Sequence, residues 1–519
     1  MHSRKPAIQG IPNLSKILPF VWISPRFALI LHLQPHRSMA EENLKKKTAK
    51  GLLWGGLNNG VQQLLNLVFG IFLARLLSPA DYGLVGMLSI FSLVASTLQE
   101  SGFTAALANR KEVRREDYNA VFWFSALTGL TLYVVLFFSA PAIARFYHQP
   151  VLVPLARVLF LGFLMSSLGT AHNAWLFKNL MVKQRALCQM TALLLSGIAG
   201  VTLAFLGFAY WGIVTQSLVY IGTNMLLLWH FSRFRPMLRF TFGPLREMFA
   251  FSSRILLTNV TLNVNHNILT LILGRFYSDK EVGHYNQANK WNFLGFSVIN
   301  GMITGVAQPI LGTVSDERER QVRVFRKMLR FTAFVSFPAL FGLSFVAHEL
   351  ITIAITSKWA FSAQLMQILC VGSAFSAING LYAQLFVSRG RSQVFMWNTI
   401  ALCAVEIGAI LLCTPLGIVG MVRCYAAINI VWWMVWQALA WHEIRLSLWA
   451  ALKDVLPFAL IAAGVMAVTY FLTRPITNLY ALFVAKVLLA AALYAGVMWI
   501  SGAVTFRECL QYFFKKQSA

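Results

Sequence analysis

The sequence predicts an all-α polytopic membrane protein of about fourteen transmembrane helices, built as two pseudo-symmetric six-helix lobes with two further helices at the C-terminus. Three observations predict it. Of 519 residues, 58% are hydrophobic and only 12% charged, with a mean hydropathy of +0.64, whereas a soluble domain carries roughly a quarter charged residues. Fourteen windows each supply the about 20 apolar residues that span the hydrocarbon core as a helix. A self-match at an offset of 200 residues lays the first two windows over the seventh and eighth.

The windows run at 51–76, 82–108, 118–140, 151–173, 187–208, 210–231, 250–274, 282–311, 328–348, 363–388, 394–414, 417–441, 454–473 and 480–503. Their connections are short, and none could fold as a soluble domain. Residues 1–38 hold no acidic residue, and Pro19, Pro25 and Arg26 interrupt their one apolar run. They read as a doubtful extension or a weak targeting segment, with Met39 as the expected start. The expected organisation is 39–249 for the first lobe with a basic linker, 250–441 for the second, and 442–519 for the last two helices and tail.

Net charge is +26, from 44 Lys and Arg against 18 Asp and Glu. On a soluble chain this would suggest nucleic acid; in a membrane chain it reports topology. With the N-terminus inside, twenty-nine Lys and Arg fall in inside loops. Six (Arg75, Arg145, Arg275, Lys280, Lys358 and Arg474) fall outside. That bias satisfies the positive-inside rule and places both termini in the cytoplasm. The inside segments 233–249 and 316–330 are basic enough to meet an anionic cytoplasmic leaflet, though simple topology anchoring also accounts for them. The six cysteines lie in or beside apolar stretches without metal-ligand spacing, so no metal or cofactor is implied.

The repeat aligns Asn59 with Asn259, Leu73 with Leu273, Arg75 with Arg275, Ser78 with Ser278 and Gly83 with Gly283, with Asp81 opposite Glu281. An even offset in helices gives both copies the same orientation. Such parallel repeats are a transporter architecture with the substrate path between the halves. Asn59, Gln63 and Asn66 share one helical face, and Asn259, Asn263 and His266 repeat it. Interhelical hydrogen bonding would explain such a stripe; its recurrence at symmetric positions favours a wet cavity for a hydroxyl-rich substrate.

An ionisable group at the centre of a span costs roughly 3 kcal/mol or more. The basic ones are Arg157, Lys290, Arg423 and Lys486, and snorkelling accommodates all but Lys290. Lys290 is deepest, in the polar run 285–292 that includes Gln287. Glu100 and Glu406 are acidic, and either a structural ion pair or ion coupling would account for them. A cavity with more cations than anions suits an anionic substrate; Lys290, Arg157 and Arg423 are its candidate contacts.

Four segments carry a family resemblance: Phe-Leu-Ala-Arg-Leu-Leu-Ser-Pro-Ala-Asp-Tyr-Gly-Leu (72–84), Glu-Ser-Gly-Phe-Thr-Ala-Ala-Leu (100–107), Gly-His-Tyr-Asn-Gln-Ala-Asn-Lys (283–290) and Phe-Pro-Ala-Leu-Phe-Gly-Leu (337–343). With them the chain, over about 44–440, resembles the Wzx-type polysaccharide transport family of lipid-linked oligosaccharide flippases, in its colanic-acid-exporter-like branch. The resemblance implies two lobes around a cationic cavity and alternating access in a bacterial inner membrane. It implies an undecaprenyl-pyrophosphate-linked oligosaccharide as substrate, moved for capsule, O-antigen or exopolysaccharide synthesis. A polysaccharide polymerase and a chain-length regulator are the partners it implies, and it transfers no catalytic residue. The alternatives are a multidrug or ion antiporter or a lipid II flippase of the same superfamily. A membrane-embedded polymerase or ligase is more remote, because the outside loops are short and no nucleophile–base pair or paired carboxylates appear.

Overall fold

The computed structural model describes residues 39–100, 107, 113–238, 267–315, 317–503 and 506–508, with the side chains of α1 from Leu57 and that of Trp54. The helices in order are α1 (Met39–Leu76), α2 (Pro79–Glu100), α3 (Arg115–Tyr147), α4 (Leu152–Leu159), α5 (Leu161–Lys178), α6 (Val182–Phe205), α7 (Trp211–Phe231) and α8 (Asn267–Phe276). Then come α9 (Asp279–Thr313), α10 (Arg318–Phe345), α11 (Ala347–Ile355), α12 (Ala360–Ser388), α13 (Ser392–Leu412), α14 (Gly417–Ile444), α15 (Leu448–Thr473) and α16 (Leu479–Ile500). No strand occurs among the described residues. Twelve segments are long and apolar enough to cross a membrane. They match twelve of the fourteen expected windows. Window 51–76 lies in α1, and most of window 250–274 lies outside the described residues. Window 151–173 divides at Phe160 into α4 and α5.

The repeated motif has a local physical cause. Ser278 caps α9: its hydroxyl accepts from the Glu281 amide, and the Glu281 carboxylate accepts from the Ser278 amide at 3.1 Å. Ser78 and Asp81 do the same for α2, at 3.3 and 2.9 Å. Each pair is a capping box, satisfying orphan amides at a helix start. The motif's glycine comes next and serves packing. A Cβ on Gly83 would lie 1.7 Å from the Asp279 carbonyl oxygen, and one on Gly283 would lie 1.7 Å from that of Pro79. The first turns of α2 and α9 therefore cross backbone against backbone, each repeat partner resting on the other helix. The pair lies where a two-fold relation between the halves would put it.

Packing differs at the two ends of the bundle. Around this crossing, one buried core draws on both halves, with Leu88, Tyr147 and Phe160 beside Leu273, Tyr285 and Trp359. At the other end the halves keep separate cores. Phe122, Ala171 and Phe234 form one; Phe325, Phe337, Tyr382 and Trp436 belong to the other. Among the described residues, packing shared by the two halves occurs at the α1–α2 end.

Helices α15 and α16 do not stand apart. Val455, Phe458 and Tyr494 belong to the core of the second half. Asp454 on α15 takes a two-point ion pair from Arg326 on α10, at 2.6 and 3.1 Å. The basic linker after α7 is also more anchored than its composition suggests. Within its described part, Phe234 is buried against Tyr118 and Phe122. The Met237 carbonyl accepts from the Trp123 indole at 2.7 Å. Residues 239–249 lie outside the described residues.

Gly83→Ala and Gly283→Ala should each lower the unfolding midpoint of the full chain in detergent. Overpacking against backbone costs at least about 1–3 kcal/mol. Gly60→Ala, whose Cβ would meet open space, should leave the midpoint unchanged. Equal midpoints for all three variants would refute the crossing.

Candidate functional site

The polar residues of α1 divide between two faces. Asn58 and Gln62 donate to Gln189 on α6, at 2.9 and 3.1 Å, and so join α1 to its own half. Asn59, Gln63 and Asn66 are exposed. Continuing their spacing by about one turn reaches Gly70, and this fixes where the face points. A Cβ on Gly70 would lie 2.8 Å from the Lys290 ammonium nitrogen. The amide stripe of one half thus leads along α1 to the lysine of the other where α1 meets α9, and this exposed seam is the candidate cleft. Lys290 is itself exposed there, and no carboxylate stands within ion-pair distance of it among the described residues. A bare glycine makes room for the ammonium group.

The two halves are not chemically equivalent. The repeat partners of Lys290 and Gly70 are Ile90 and Thr270. Ile90 lines an apolar pocket of about 420 Å³ between α2, α3 and α8, with Phe91, Leu132 and Leu271. The cation occurs on one side of the pseudo-symmetry only.

The other expected site residues are dispersed. Gln287 is buried, with its side-chain oxygen unpartnered. Arg157 is half-buried and stacks 4.4 Å over the Phe137 ring, its Nε unpartnered. Arg423 lies in a separate pocket that no residue of the first half lines among the described residues. Glu406 is fully buried and accepts from Asn429 at 2.9 Å, with its second oxygen unpartnered. No cation lies within ion-pair distance of it among the described residues. Asn259, Asn263 and His266, and the side chain of Glu100, lie outside the described residues.

Sequence reasoning missed the groups that hold the closed end. Arg75 donates to the Ala354 and Ile353 carbonyls at 2.7 and 2.8 Å, at the C-terminus of α11. Lys358 returns the contact, donating to the Arg75 and Leu77 carbonyls at 2.7 Å each, and Trp359 donates to that of Ala74 at 2.8 Å. Each half thus caps a helix C-terminus of the other with a cation, where orphan carbonyls and the helix dipole favour positive charge. Arg275, the repeat partner of Arg75, reaches back to His148 at 2.9 Å. A signal was present: Arg75 and Arg275 align in the repeat, and both sit among the few cations on the minority side of the topology.

Residues 72–364 match the polysaccharide biosynthesis protein family. The teichuronic acid biosynthesis protein TuaB of Bacillus subtilis (strain 168) is 24% identical over 82% of this chain and 89% of its own. The lipopolysaccharide biosynthesis protein WzxC of Escherichia coli (strain K12) is 25% identical over 69% and 73%. Among solved structures, lipid II flippase MurJ in an inward closed conformation has a TM-score of 0.71 at 16% identity, over 88% of this chain and 100% of its own. An inward-facing multidrug resistance MATE family transporter has 0.61 at 19% identity, over 74% and 94%. These last two show the fold.

Replacing both Arg75 and Lys358 by Ala removes charge-assisted hydrogen bonds worth about 1.5–3 kcal/mol each. In a background without native cysteines, a cysteine at Leu77 should then react with a soluble maleimide at least about tenfold faster. Unchanged labelling would show that these contacts do not hold the end closed.

Proposed function

The chain belongs to the polysaccharide biosynthesis protein family of Wzx-type transport proteins, and on that footing we propose that it flips a lipid-linked oligosaccharide across the bacterial inner membrane. The substrate is an undecaprenyl-pyrophosphate-linked oligosaccharide destined for capsule, O-antigen or exopolysaccharide. One observation carries the reading: an exposed Lys290, without an ion-pair partner among the described residues, faces Gly70 at the end of an exposed amide stripe. The ammonium group would hold the diphosphate, since a cation in a low-dielectric cleft favours an anion strongly. Asn59, Gln63 and Asn66 would meet sugar hydroxyls, exchanging hydrogen bonds to water for bonds of similar strength.

The charge bias sets direction. With both termini cytoplasmic, the end closed by Arg75, Lys358 and Trp359 faces the periplasm, and the cleft is accessible from the cytoplasmic side. Alternating access then requires the latch to break and the separate cores at the other end to meet, with the α2–α9 crossing as fulcrum. Glu406 is the candidate for ion coupling. A buried carboxylate with one free oxygen and no cation is expensive, and a proton or a metal cation taken up with each cycle would relieve it. The activity is transport, and no residue is assigned a catalytic role. A polymerase and a chain-length regulator would receive and extend the flipped units. A lipid II flippase is the second reading, favoured by the MurJ likeness in fold; it shares the diphosphate and differs in the sugar. A drug antiporter for cationic compounds fits poorly with an unpaired lysine in the cleft.

Lys290→Ala should abolish surface polysaccharide, a loss of at least tenfold, at an unchanged level of inserted protein, while Lys290→Arg retains a substantial part. Normal polymer in Lys290→Ala would sink the cleft assignment. Glu406→Gln should remove the dependence of flipping on a proton or sodium gradient in proteoliposomes; a gradient response equal to that of the native chain would exclude Glu406 from coupling.

A further inference from the structure

A pocket in the second half lies apart from this cleft. It has a volume of about 570 Å³ and lies between α10, α12 and α14 on one side and α15 and α16 on the other, lined by Ser344, Phe345, Gln367, Arg423, Tyr470 and Lys486 among others. No residue of the first half lines it among the described residues.

Its charges are unbalanced. Lys486 is buried, pairs with Glu349 on α11 at 2.7 Å, and lies 4.5 Å over the Phe345 ring. Glu349 is buried too and keeps its second carboxylate oxygen unpartnered. Arg423 is exposed at the pocket and has no carboxylate within ion-pair distance among the described residues. The three groups carry one net positive charge. Arg423 lies about two turns inside α14 and Lys486 about two turns inside α16, each counted from the helix end nearest the closed end of the bundle. At that depth an uncompensated guanidinium costs up to roughly 3 kcal/mol. Snorkelling relieves an arginine at a helix end, but gives no reason for a buried lysine–carboxylate pair beside it. The neighbouring surface is lipid-facing, with Phe471 and Leu472 on α15 and Val484 and Leu488 on α16 all exposed.

We propose that this pocket binds the phosphate or diphosphate group of an anionic membrane lipid, in the leaflet on the closed side of the bundle, with Arg423 and Lys486 as its cationic contacts. Arg423 supplies the planar donor fork that phosphate oxygens accept. Lys486 is shared between the ligand and Glu349, so Glu349 tempers the affinity and keeps the lysine in place when the pocket is empty. Tyr470, Ser344 and Gln367 supply polar groups around the anion. The ligand is either a phospholipid headgroup or the diphosphate of a polyprenyl carrier; the recognising chemistry is the same. The site does not depend on the flippase reading.

The test uses the full chain in phosphatidylcholine nanodiscs, titrated in separate arms with phosphatidylglycerol and with undecaprenyl diphosphate, and bound lipid counted by native mass spectrometry. Arg423→Gln should lower affinity at least tenfold in the arm that binds, compared in a Lys290→Ala background so that the cleft contributes no diphosphate binding. Glu349→Gln should raise it several-fold, a gain that misfolding cannot imitate and that stands even if Arg423→Gln does not insert. Saturation in the phosphatidylglycerol arm alone identifies a phospholipid site, saturation with undecaprenyl diphosphate alone a carrier site, and equal binding recognition of phosphate itself. Native affinity in Arg423→Gln, weaker binding in Glu349→Gln, or no saturable binding in either arm would overturn the proposal.

Discussion

Two glycines set the geometry on which the other contacts rest. Gly83 and Gly283 let the first turns of α2 and α9 touch through bare backbone, closer than any side chain allows. Helices in lipid gain little from the hydrophobic effect against one another, so close approach of small residues is a main source of their association. From that contact the rest follows outward. The ends of α1 and α8 are brought against the opposite half, Arg75 and Lys358 each reach carbonyls of the other half, and a core forms that both halves share. Away from the crossing the halves diverge, and their cores separate.

The charges divide into three kinds once the packing is known. Most Lys and Arg lie in the loops of one side and report orientation. A second set joins the halves: Arg75 and Lys358 cap helix ends, and Arg275 meets the His148 ring. The third set lies within the spans and is itself divided: Lys290 in the cleft, Lys486 neutralised by Glu349, and Arg423 at a pocket of the second half. Number and sign alone could not separate these kinds, because the separation depends on the partner each charge finds.

Much of this was legible in the sequence. The spans, the 200-residue repeat and the singular position of Lys290 could all be read from hydropathy and spacing. The repeated Ser-x-x-acid pattern was visible as identity, while its work as a pair of capping boxes emerged with the hydrogen bonds. The amide stripe was legible as a face but not as a choice. Asn58 and Gln62 bind α6 through Gln189, 131 and 127 residues away, and that partner left Asn59, Gln63 and Asn66 exposed. Arg157 and Arg423 looked like companions of Lys290 from depth alone, yet one stacks on Phe137 and the other serves a different pocket.

By itself the sequence determined what the bilayer demands: which segments are apolar and long enough to span, which loops carry the positive charge, and where a polar group is too costly to be incidental. These properties are local and roughly additive, since each helix meets its own backbone hydrogen bonds and partitions by its own composition. The tertiary structure alone decided which distant groups meet: Gly70 opposite Lys290, Lys358 on the end of α1, Glu349 beside Lys486. Those meetings depend on how helices hundreds of residues apart cross, and that is set by the backbone approach at two glycines, where no side chain stands between the helices.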